Sequence, residues 1–194
     1  MQEKIEEWKK MLQARLDARR YHHSLCVMEE AERLARQYGA DVEKARIAGL
    51  LHDMTKNDTE EQHFDVFTRG GIELDEVARS TKKLHHAISG AWRIEHELGV
   101  TDREILDAVR YHTTARAGMT LLDKVLYLAD FVSADRDYEG VEALRALVHQ
   151  DLEAGLREAL SFSIAELLQK PAPIHRDTVE AWNAEMLQRK ETTI

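Results

Sequence analysis

The chain has 194 residues, 43% of them hydrophobic and 32% charged, with a formal net charge of -9 at pH 7. This length allows one domain with a buried core, and the acidic balance argues against a broad basic face for nucleic acid. The single cysteine, Cys26, excludes an intrachain disulfide. No apolar run approaches the about 20 residues that span a bilayer. We therefore expect a cytoplasmic protein that binds neither nucleic acid nor a membrane.

The first part of the chain predicts helices, because apolar residues recur at three- and four-residue spacing and alternating strand patterns are absent. A first helix is predicted over residues 3–18 and a second over about 24–38. Asp41 is the expected N-cap of a third helix. That helix delivers His52 and Asp53 side by side at its C-terminal end.

The later part of the chain continues the helical pattern, and the fold class is therefore predicted to be all-α. Thr101-Asp102-Arg103-Glu104 has the pattern of a capping box before the helix that ends at His112. Further helices are predicted over 59–69, 75–98 with a break near Ser80, 120–134, 141–149, 151–169 and from about Thr178 to Arg189. No linker divides the chain, so we predict one domain over 1–194, with a core over about 18–140 and the terminal helices packed on it.

Asp130 lies inside the most apolar predicted helix. Lys124 and Arg136 are each six residues away, and this spacing makes neither of them a neighbour on one helix face. We therefore predict that Asp130 is a buried carboxylate without a local partner.

Six imidazole and carboxylate side chains occur at the ends of, or within, these apolar helices. They are His23, His52, Asp53, His86, His112 and Asp130. A charge placed against a core must be compensated, and a divalent ion compensates histidine nitrogens and carboxylate oxygens together. This ligand set suits first-row metals such as iron, manganese or zinc. Each residue alone also has a plainer interpretation, and a helical scaffold with structural histidines is one alternative.

The order of these residues and their local contexts are more specific than the His-Asp dipeptide itself. The contexts are Arg20-Tyr21-His22-His23-Ser24-Leu25, Gly49-Leu50-Leu51-His52-Asp53-Met54-Thr55-Lys56, His86-Ala87-Ile88-Ser89-Gly90-Ala91, Tyr111-His112-Thr113-Thr114, Leu122 to Asp130 with Arg136, and Ile174-His175-Arg176-Asp177-Thr178. Over roughly residues 18–185 the chain resembles the HD superfamily of metal-dependent phosphohydrolases. Within that superfamily it is most similar to the bacterial YqeK family of symmetrical dinucleoside tetraphosphatases.

The resemblance implies a single-domain HD helical bundle and assigns roles to individual residues. It implies an iron site formed by His23, His52, Asp53 and Asp130. His86 and His112 would face the phosphates or ligate a second metal, so that His52, Asp53, His86 and His112 form the catalytic set. The implied substrate contacts are His23, Cys26, Asp53, Met54, Thr55, Lys56, His86, His112, Thr113, Asp130, Arg136, Pro173, Ile174, His175, Arg176, Asp177 and Thr178.

Two positions depart from the family pattern. Cys26 stands where the family usually has a glycine, and the segment around Ile88-Ser89 lacks the usual proline. His85 precedes His86, and we choose His86 as the inward-facing residue because Gly90-Ala91 then follows at the family spacing.

The activity implied by the resemblance is hydrolysis of a dinucleoside polyphosphate, diadenosine tetraphosphate, at its central anhydride, with the nucleoside diphosphate ADP as the product. A metal-activated water is the implied nucleophile. The alternatives are another HD nucleotide phosphatase or phosphodiesterase, and a metal- or nucleotide-binding sensor without turnover. The sequence leaves open one metal or two, and a monomer or a homodimer.

Overall fold

The computed structural model describes residues 2–191, with side chains described through Gln188. Over that range the chain forms helices and no strand, which confirms the all-α prediction. The helices are α1 Gln2–Arg15, α2 Ala18–Tyr38, α3 Val42–Leu51, α4 Glu60–Gly70, α5 Glu76–Ser80, α6 Lys82–Leu98, α7 Arg103–Tyr111, α8 Leu121–Val132, α9 Val141–Gln150, α10 Leu152–Gln169 and α11 Arg176–Glu191. None of the helices within 2–191 has the length and apolar character to cross a membrane.

The main hydrophobic core lies where α2, α3 and α8 pack together, with α7 against α3 and α8. Residues such as Leu34, Leu50 and Leu126 are fully buried in it, one from each of the three central helices. Each such side chain contributes about 1.5–3 kcal/mol when it leaves water. The α1 and α10 helices add Ile5 and Leu156 to the same cluster. Two of these three helices carry His23 and Asp130, and the third, α3, ends directly before His52 and Asp53.

Gly49 allows α3 to approach α2 closely. A Cβ atom at this position would lie 2.8 Å from the Cα of Met28, which is closer than packed atoms tolerate. The close approach places the end of α3 against the middle of α2. As a result, His52 lies beside His23, with ring centroids 5.3 Å apart.

The predicted boundary between the first two helices was wrong. α1 ends at Arg15, and α2 begins at Ala18 rather than near residue 24. Asp17 is the N-cap of α2, and its carboxylate accepts from the backbone N–H of Arg20 at 2.9 Å. The apolar spacing continues through Leu16, so the pattern gives no sign that the helix ends at Arg15. His23 therefore lies inside a continuous helix.

The start of α7 also differs by one residue from the prediction. The N-cap is Asp102, whose side chain accepts from the backbone N–H groups of Glu104 and Ile105. The predicted capping box from Thr101 to Glu104 was therefore wrong. The break near Ser80 was predicted correctly, since α5 ends there and α6 begins at Lys82.

Candidate metal centre and nucleotide cavity

Four of the predicted ligands come together from three helices. His23 Nε2 lies 2.9 Å from Asp130 Oδ1 and 4.0 Å from Asp53 Oδ2. His52 Nε2 lies 3.5 Å from Asp53 Oδ2 and 4.0 Å from Asp130 Oδ1. Ligand atoms about 2.1 Å from a shared ion lie roughly 3–3.5 Å from one another. Two of the four distances are 4.0 Å, and the ligand atoms within 4.8 Å of one another form two overlapping groups, His23-His52-Asp130 and His52-Asp53-His112, each of which could hold an ion.

The tautomers of the two histidines support the same interpretation. His52 Nδ1–H donates to the carbonyl of Gly49 at 2.8 Å, and His23 Nδ1–H donates to Asp135 Oδ2 at 2.8 Å. Each Nε2 is therefore left with a lone pair directed at the carboxylates. His52 Nε2 is buried and has no hydrogen-bond partner among the described residues. Electron-rich atoms this close need a cation between them, so the residues fit a divalent metal.

The charges at the cluster favour a cation at neutral pH. Burial lowers the pKa of His52 to about 3, so this imidazole is neutral. The pKa of the Asp53 carboxyl lies well below its usual range although burial alone would raise it, and the cationic Arg20 donates to its Oδ2 at 2.6 Å. The pKa of Asp130 is also lowered, because the Arg136 guanidinium that bonds its carboxylate outweighs its burial. Two ionised carboxylates therefore face the neutral imidazole of His52.

His86 and His112 form a second group beside the first. Their Nε2 atoms are 3.1 Å apart, and His112 Nδ1–H donates to the carbonyl of Val109 at 2.7 Å. Asp53 Oδ1 lies 2.9 Å from His86 Nε2 and 3.7 Å from His112 Nε2. Lys56 Nζ lies 3.0 Å from His86 Nε2. Asp53 therefore faces His23 and His52 with Oδ2, and His86 and His112 with Oδ1.

His86, rather than His85, faces this group, as the sequence analysis proposed. His85 Nε2–H instead donates to the carbonyl of Ala78 at 2.9 Å, on the side of α6 that packs against α5. The carbonyl of His86 accepts from Thr55 Oγ1 at 2.8 Å. Thr55 thus supports the position of His86.

The expectation that Asp130 has no local partner was wrong. α8 ends at Val132, and the chain then turns so that Arg136 N–H donates to the carbonyl of Ser133 at 3.0 Å. The guanidinium of Arg136 donates to the Asp130 carbonyl through Nε at 2.7 Å and also bonds Oδ1 of the carboxylate. A spacing of six residues separates two side chains only in a continuous helix, and α8 ends before Arg136. Asp130 is also only partly buried, with 19% of its side chain exposed.

Two residues at the centre, Arg20 and Asp135, were not predicted from the sequence as part of the site. Arg20 donates to Asp53 Oδ2 at 2.6 Å, and Asp135 holds His23. Arg20 is three residues before His23 on α2, so both side chains lie on one helix face. That spacing is readable from the sequence once α2 is known to begin at Ala18. Asp135 lies in an irregular turn, and no periodic signal points to it.

A cavity of about 420 Å³ opens next to this centre. Its volume lies within the usual range of about 300–1,000 Å³ for small-molecule sites. The predicted contacts that line it are Lys56, His86, His112, Thr113, Asp130, Arg136, Pro173, His175 and Thr178. Its apolar walls include Leu84, Phe131 and Leu167, which the sequence analysis had not named.

Some of the other predicted contacts lie away from this cavity. Cys26 is buried, with its Sγ atom 3.5 Å from His22 Nε2. Met54 is buried in the hydrophobic core. Thr55 is also fully buried. None of these three side chains lines the cavity.

The closing segment is divided between the cavity and the surface. Ile174 lines a separate apolar groove with Trp182. Arg176 is exposed and pairs with Glu180 at 2.5 Å. Asp177 donates its backbone N–H to His175 Nδ1 at 3.2 Å. Asp177 therefore supports a residue of the cavity wall from behind.

Comparisons with known proteins agree with this geometry. The model of the HD domain family matches residues 20–135. The symmetrical bis(5'-nucleosyl)-tetraphosphatase of Bacillus subtilis is 38% identical over 168 residues, which is 87% of this chain and 90% of that protein. The protein of the same name from Halalkalibacterium halodurans is 35% identical over 180 residues, 93% of this chain and 96% of that protein.

A solved structure has the same fold along nearly the whole chain. The crystal structure of an HD superfamily hydrolase from Clostridium acetobutylicum, described as involved in NAD metabolism, superimposes with a TM-score of 0.91. The two sequences are 35% identical, and the match covers 94% of this chain and 97% of that chain. The structural comparison supports the fold, and the sequence relatives alone carry the similarity to symmetrical tetraphosphatases.

Proposed function

This chain belongs to the HD domain family, and on that premise we propose that it is a metal-dependent symmetrical bis(5'-nucleosyl)-tetraphosphatase. The expected resemblance to symmetrical tetraphosphatases is confirmed by relatives that match most of their length. The observation that carries the proposal is the position of the cavity, which shares His86, His112 and Asp130 with the candidate metal centre.

The proposed metal site consists of His23, His52, Asp53 and Asp130. The unpartnered Nε2 of His52 and the two ionised carboxylates support a divalent ion at this point. Iron is proposed from the family resemblance, and the nitrogen and oxygen ligands are compatible with it. When bound, such an ion lowers the pKa of a coordinated water, so that a nucleophile forms near neutral pH.

His86 and His112 are proposed as ligands for a second divalent ion, together with Asp53 Oδ1. Because the Nδ1–H of His112 donates to the carbonyl of Val109, the Nε2 of His112 is an acceptor and does not donate to a phosphate oxygen. Burial lowers the pKa of His86 to about 4, so this ring is also neutral near pH 7. The Lys56 ammonium can only donate, so its 3.0 Å contact makes His86 Nε2 an acceptor as well. Two acceptor nitrogens and one carboxylate oxygen favour ligation of a cation over donation to phosphate.

Positive side chains at the cavity are proposed to bind the substrate phosphates. Lys56 lies between Asp53 Oδ1, at 3.4 Å, and His86 Nε2, at 3.0 Å. The guanidinium of Arg136 is held by Asp130 at the cavity wall. These two cations neutralise phosphate charge in a chain that is acidic as a whole. Burial lowers the pKa of Lys56, which makes its ammonium group a better proton donor to the leaving phosphate oxygen.

The proposed substrate is diadenosine tetraphosphate, and the proposed product is two molecules of ADP. One nucleoside diphosphate half occupies the 420 Å³ cavity, with its terminal phosphorus next to the metal centre. Attack at that phosphorus breaks the central anhydride, and the leaving group is the second ADP. The cleavage is symmetrical because the cavity holds the two phosphates of one nucleoside diphosphate half.

The test is product analysis of the purified, metal-loaded protein with diadenosine tetraphosphate. We expect ADP as the sole nucleotide product, and Asp53→Ala serves as the inactive control. Formation of ATP and AMP would contradict the proposal. Preferred hydrolysis of a mononucleotide or a cyclic nucleotide would instead identify another HD phosphohydrolase, and tight binding without turnover would identify a sensor.

The metal content is tested on the same preparation. Elemental analysis should give two divalent ions per chain if His86 and His112 ligate a second ion, and one ion if they do not. His112→Ala should then reduce the content from two to one, while Asp53→Ala should remove both. Iron in the protein purified from a metal-replete culture would support the identity proposed from the family.

A further inference from the structure

A second cavity, of about 320 Å³, lies next to the one that the proposed function uses. The two cavities have three lining residues in common, Lys56, Lys83 and His86. The second cavity is otherwise formed by α4, by the turn before it and by the beginning of α6. A ligand that extends from one cavity into the other would therefore pass His86 and Lys56.

The inner wall of the second cavity carries two nearly buried histidines. His63 is 6% exposed and His85 is 1% exposed. His85 uses Nε2–H to donate to the carbonyl of Ala78, so Nδ1 is an acceptor, and this atom has no partner among the described residues. His63 Nδ1 lies 2.7 Å from Ser89 Oγ, which donates onward to Thr55 Oγ1.

This hydrogen-bond chain determines which nitrogen atoms of the wall can accept a hydrogen bond from a ligand. Because the hydroxyl hydrogen of Ser89 is used by Thr55, His63 donates through Nδ1 and keeps an acceptor lone pair on Nε2. Burial lowers the pKa of His63, in agreement with a neutral ring. The wall thus presents two acceptors to a ligand with hydroxyl or amine donors, such as a ribose or an adenine.

The opening of the second cavity is cationic. Lys82 and Lys83 line it, together with Lys56. Lys82 and Lys83 lie at the N-terminus of the 17-residue α6, whose N-cap Thr81 makes no side-chain capping bond. The first-turn N–H groups of α6 therefore add to the positive potential at this point.

Two acidic residues also line the second cavity, and both have cationic partners. Asp58 is held by Arg15 at 2.7 Å and lies 3.6 Å from Arg93. Glu60 pairs with Lys82 at 2.5 Å. After these pairings, Lys83 and Lys56 leave net positive charge at the opening, which favours phosphate there, while the neutral histidines favour the uncharged part of a nucleotide inside.

We propose that the second cavity binds the other nucleotide half of the dinucleoside tetraphosphate. Its phosphates would lie at Lys82 and Lys83, and its ribose hydroxyls or base amine would donate to His63 and His85. The inference rests on the proposed function. With one half in each cavity, the central anhydride lies at His86 and Lys56, beside the metal centre, which agrees with cleavage at the middle of a symmetrical substrate.

The test compares ligands that fill one cavity or both. The two-cavity ligand is diadenosine tetraphosphate with a methylene group in place of the central bridging oxygen, and the one-cavity ligand is ADP. Lys82→Glu should weaken binding of the analogue at least tenfold in calorimetry and change the Kd of ADP less than twofold. Lys82 is 75% exposed, so its replacement should not affect folding. The matched control is Arg36→Glu, which reverses an exposed, ion-paired charge on another helix.

A third ligand isolates the contribution of the second nucleoside. Removing one adenosine from the methylene analogue leaves all four phosphates and one nucleoside, and we expect its affinity for the wild-type protein to fall at least tenfold. Equal affinities for the two analogues, or an unchanged analogue Kd in Lys82→Glu, would overturn the proposal. If the binding pattern is as expected but no ADP is formed, the proposed function fails and the second nucleotide site is supported.

Discussion

Asp135 is predicted to position a metal ligand without contacting the metal itself. Its Oδ2 accepts from His23 Nδ1–H at 2.8 Å, and its Oδ1 accepts from Ser133 Oγ at 2.7 Å. This pair of bonds fixes both the tautomer of His23 and the direction of its Nε2. In Asp135→Ala, the nearly buried imidazole loses the acceptor that holds its Nδ1–H.

The expected magnitude follows from the hydrogen bond that is lost. A hydrogen bond to a charged group contributes about 1.5–3 kcal/mol. Since about 1.4 kcal/mol corresponds to a factor of ten, the metal affinity should fall roughly 10- to 100-fold. Asp135→Asn retains an oxygen that can accept from His23 but loses the charge. We expect its loss of affinity to lie between those of the wild type and Asp135→Ala.

The assay is metal affinity measured by competition with a chromophoric chelator, with elemental analysis of each purified variant. The matched control is Asp137→Ala, which removes an exposed carboxylate from the same turn. An unchanged metal affinity in Asp135→Ala would refute the positioning role. An equal loss in Asp137→Ala would show that the effect comes from the net charge of the turn rather than from the bond to His23.

Four further predictions concern the centre and the core. Asp53→Ala should abolish turnover and remove the metal, which activity assays and elemental analysis will check. Arg136→Ala should raise KM more than it lowers metal content, and an equal loss of metal would place Arg136 among the groups that hold the ion. The metal-free protein should lose stability when the pH falls from about 6.5 to about 4, because burial lowers the folded-state pKa of His52 to about 3 and of His86 to about 4. The unfolded chain then binds more protons than the folded one, so denaturant midpoints should decrease across this window. Trp182→Ala should lower the free energy of unfolding by less than the roughly 3–5 kcal/mol of a fully buried aromatic, because its ring is only partly buried, and metal content should be unchanged.

Features of the fold that depend on neighbouring residues were predicted correctly from the sequence. Asp41 was predicted as the N-cap of α3, and its side chain accepts from the N–H groups of Glu43 and Lys44. The same helix brings His52 and Asp53 to the predicted place at its end. Capping and apolar periodicity depend on neighbouring residues, and both can be read from a single sequence.

The errors arose where a distant residue or an irregular turn decides the structure. The α1–α2 junction is held partly by Asn57, which donates to the carboxylate of Asp17 at 2.8 Å across 40 positions. The partner of Asp130 is Arg136, which the turn after Val132 brings back to the end of α8. Neither contact leaves a periodic signal, because it depends on the folded path of the chain.

The arrangement of the centre depends on the packing of two helices. Gly49 lies in α3, one turn before His52, and it is the residue whose missing side chain lets α3 approach the backbone of Met28. The carbonyl of Gly49 also accepts from His52 Nδ1–H and thereby directs the Nε2 lone pair towards Asp53. One glycine therefore sets both the distance between His23 and His52 and the tautomer of His52. The His-Asp dipeptide by itself fixes neither the distance between α2 and α3 nor the ring nitrogen of the histidine that carries the proton. Both are set here by Gly49.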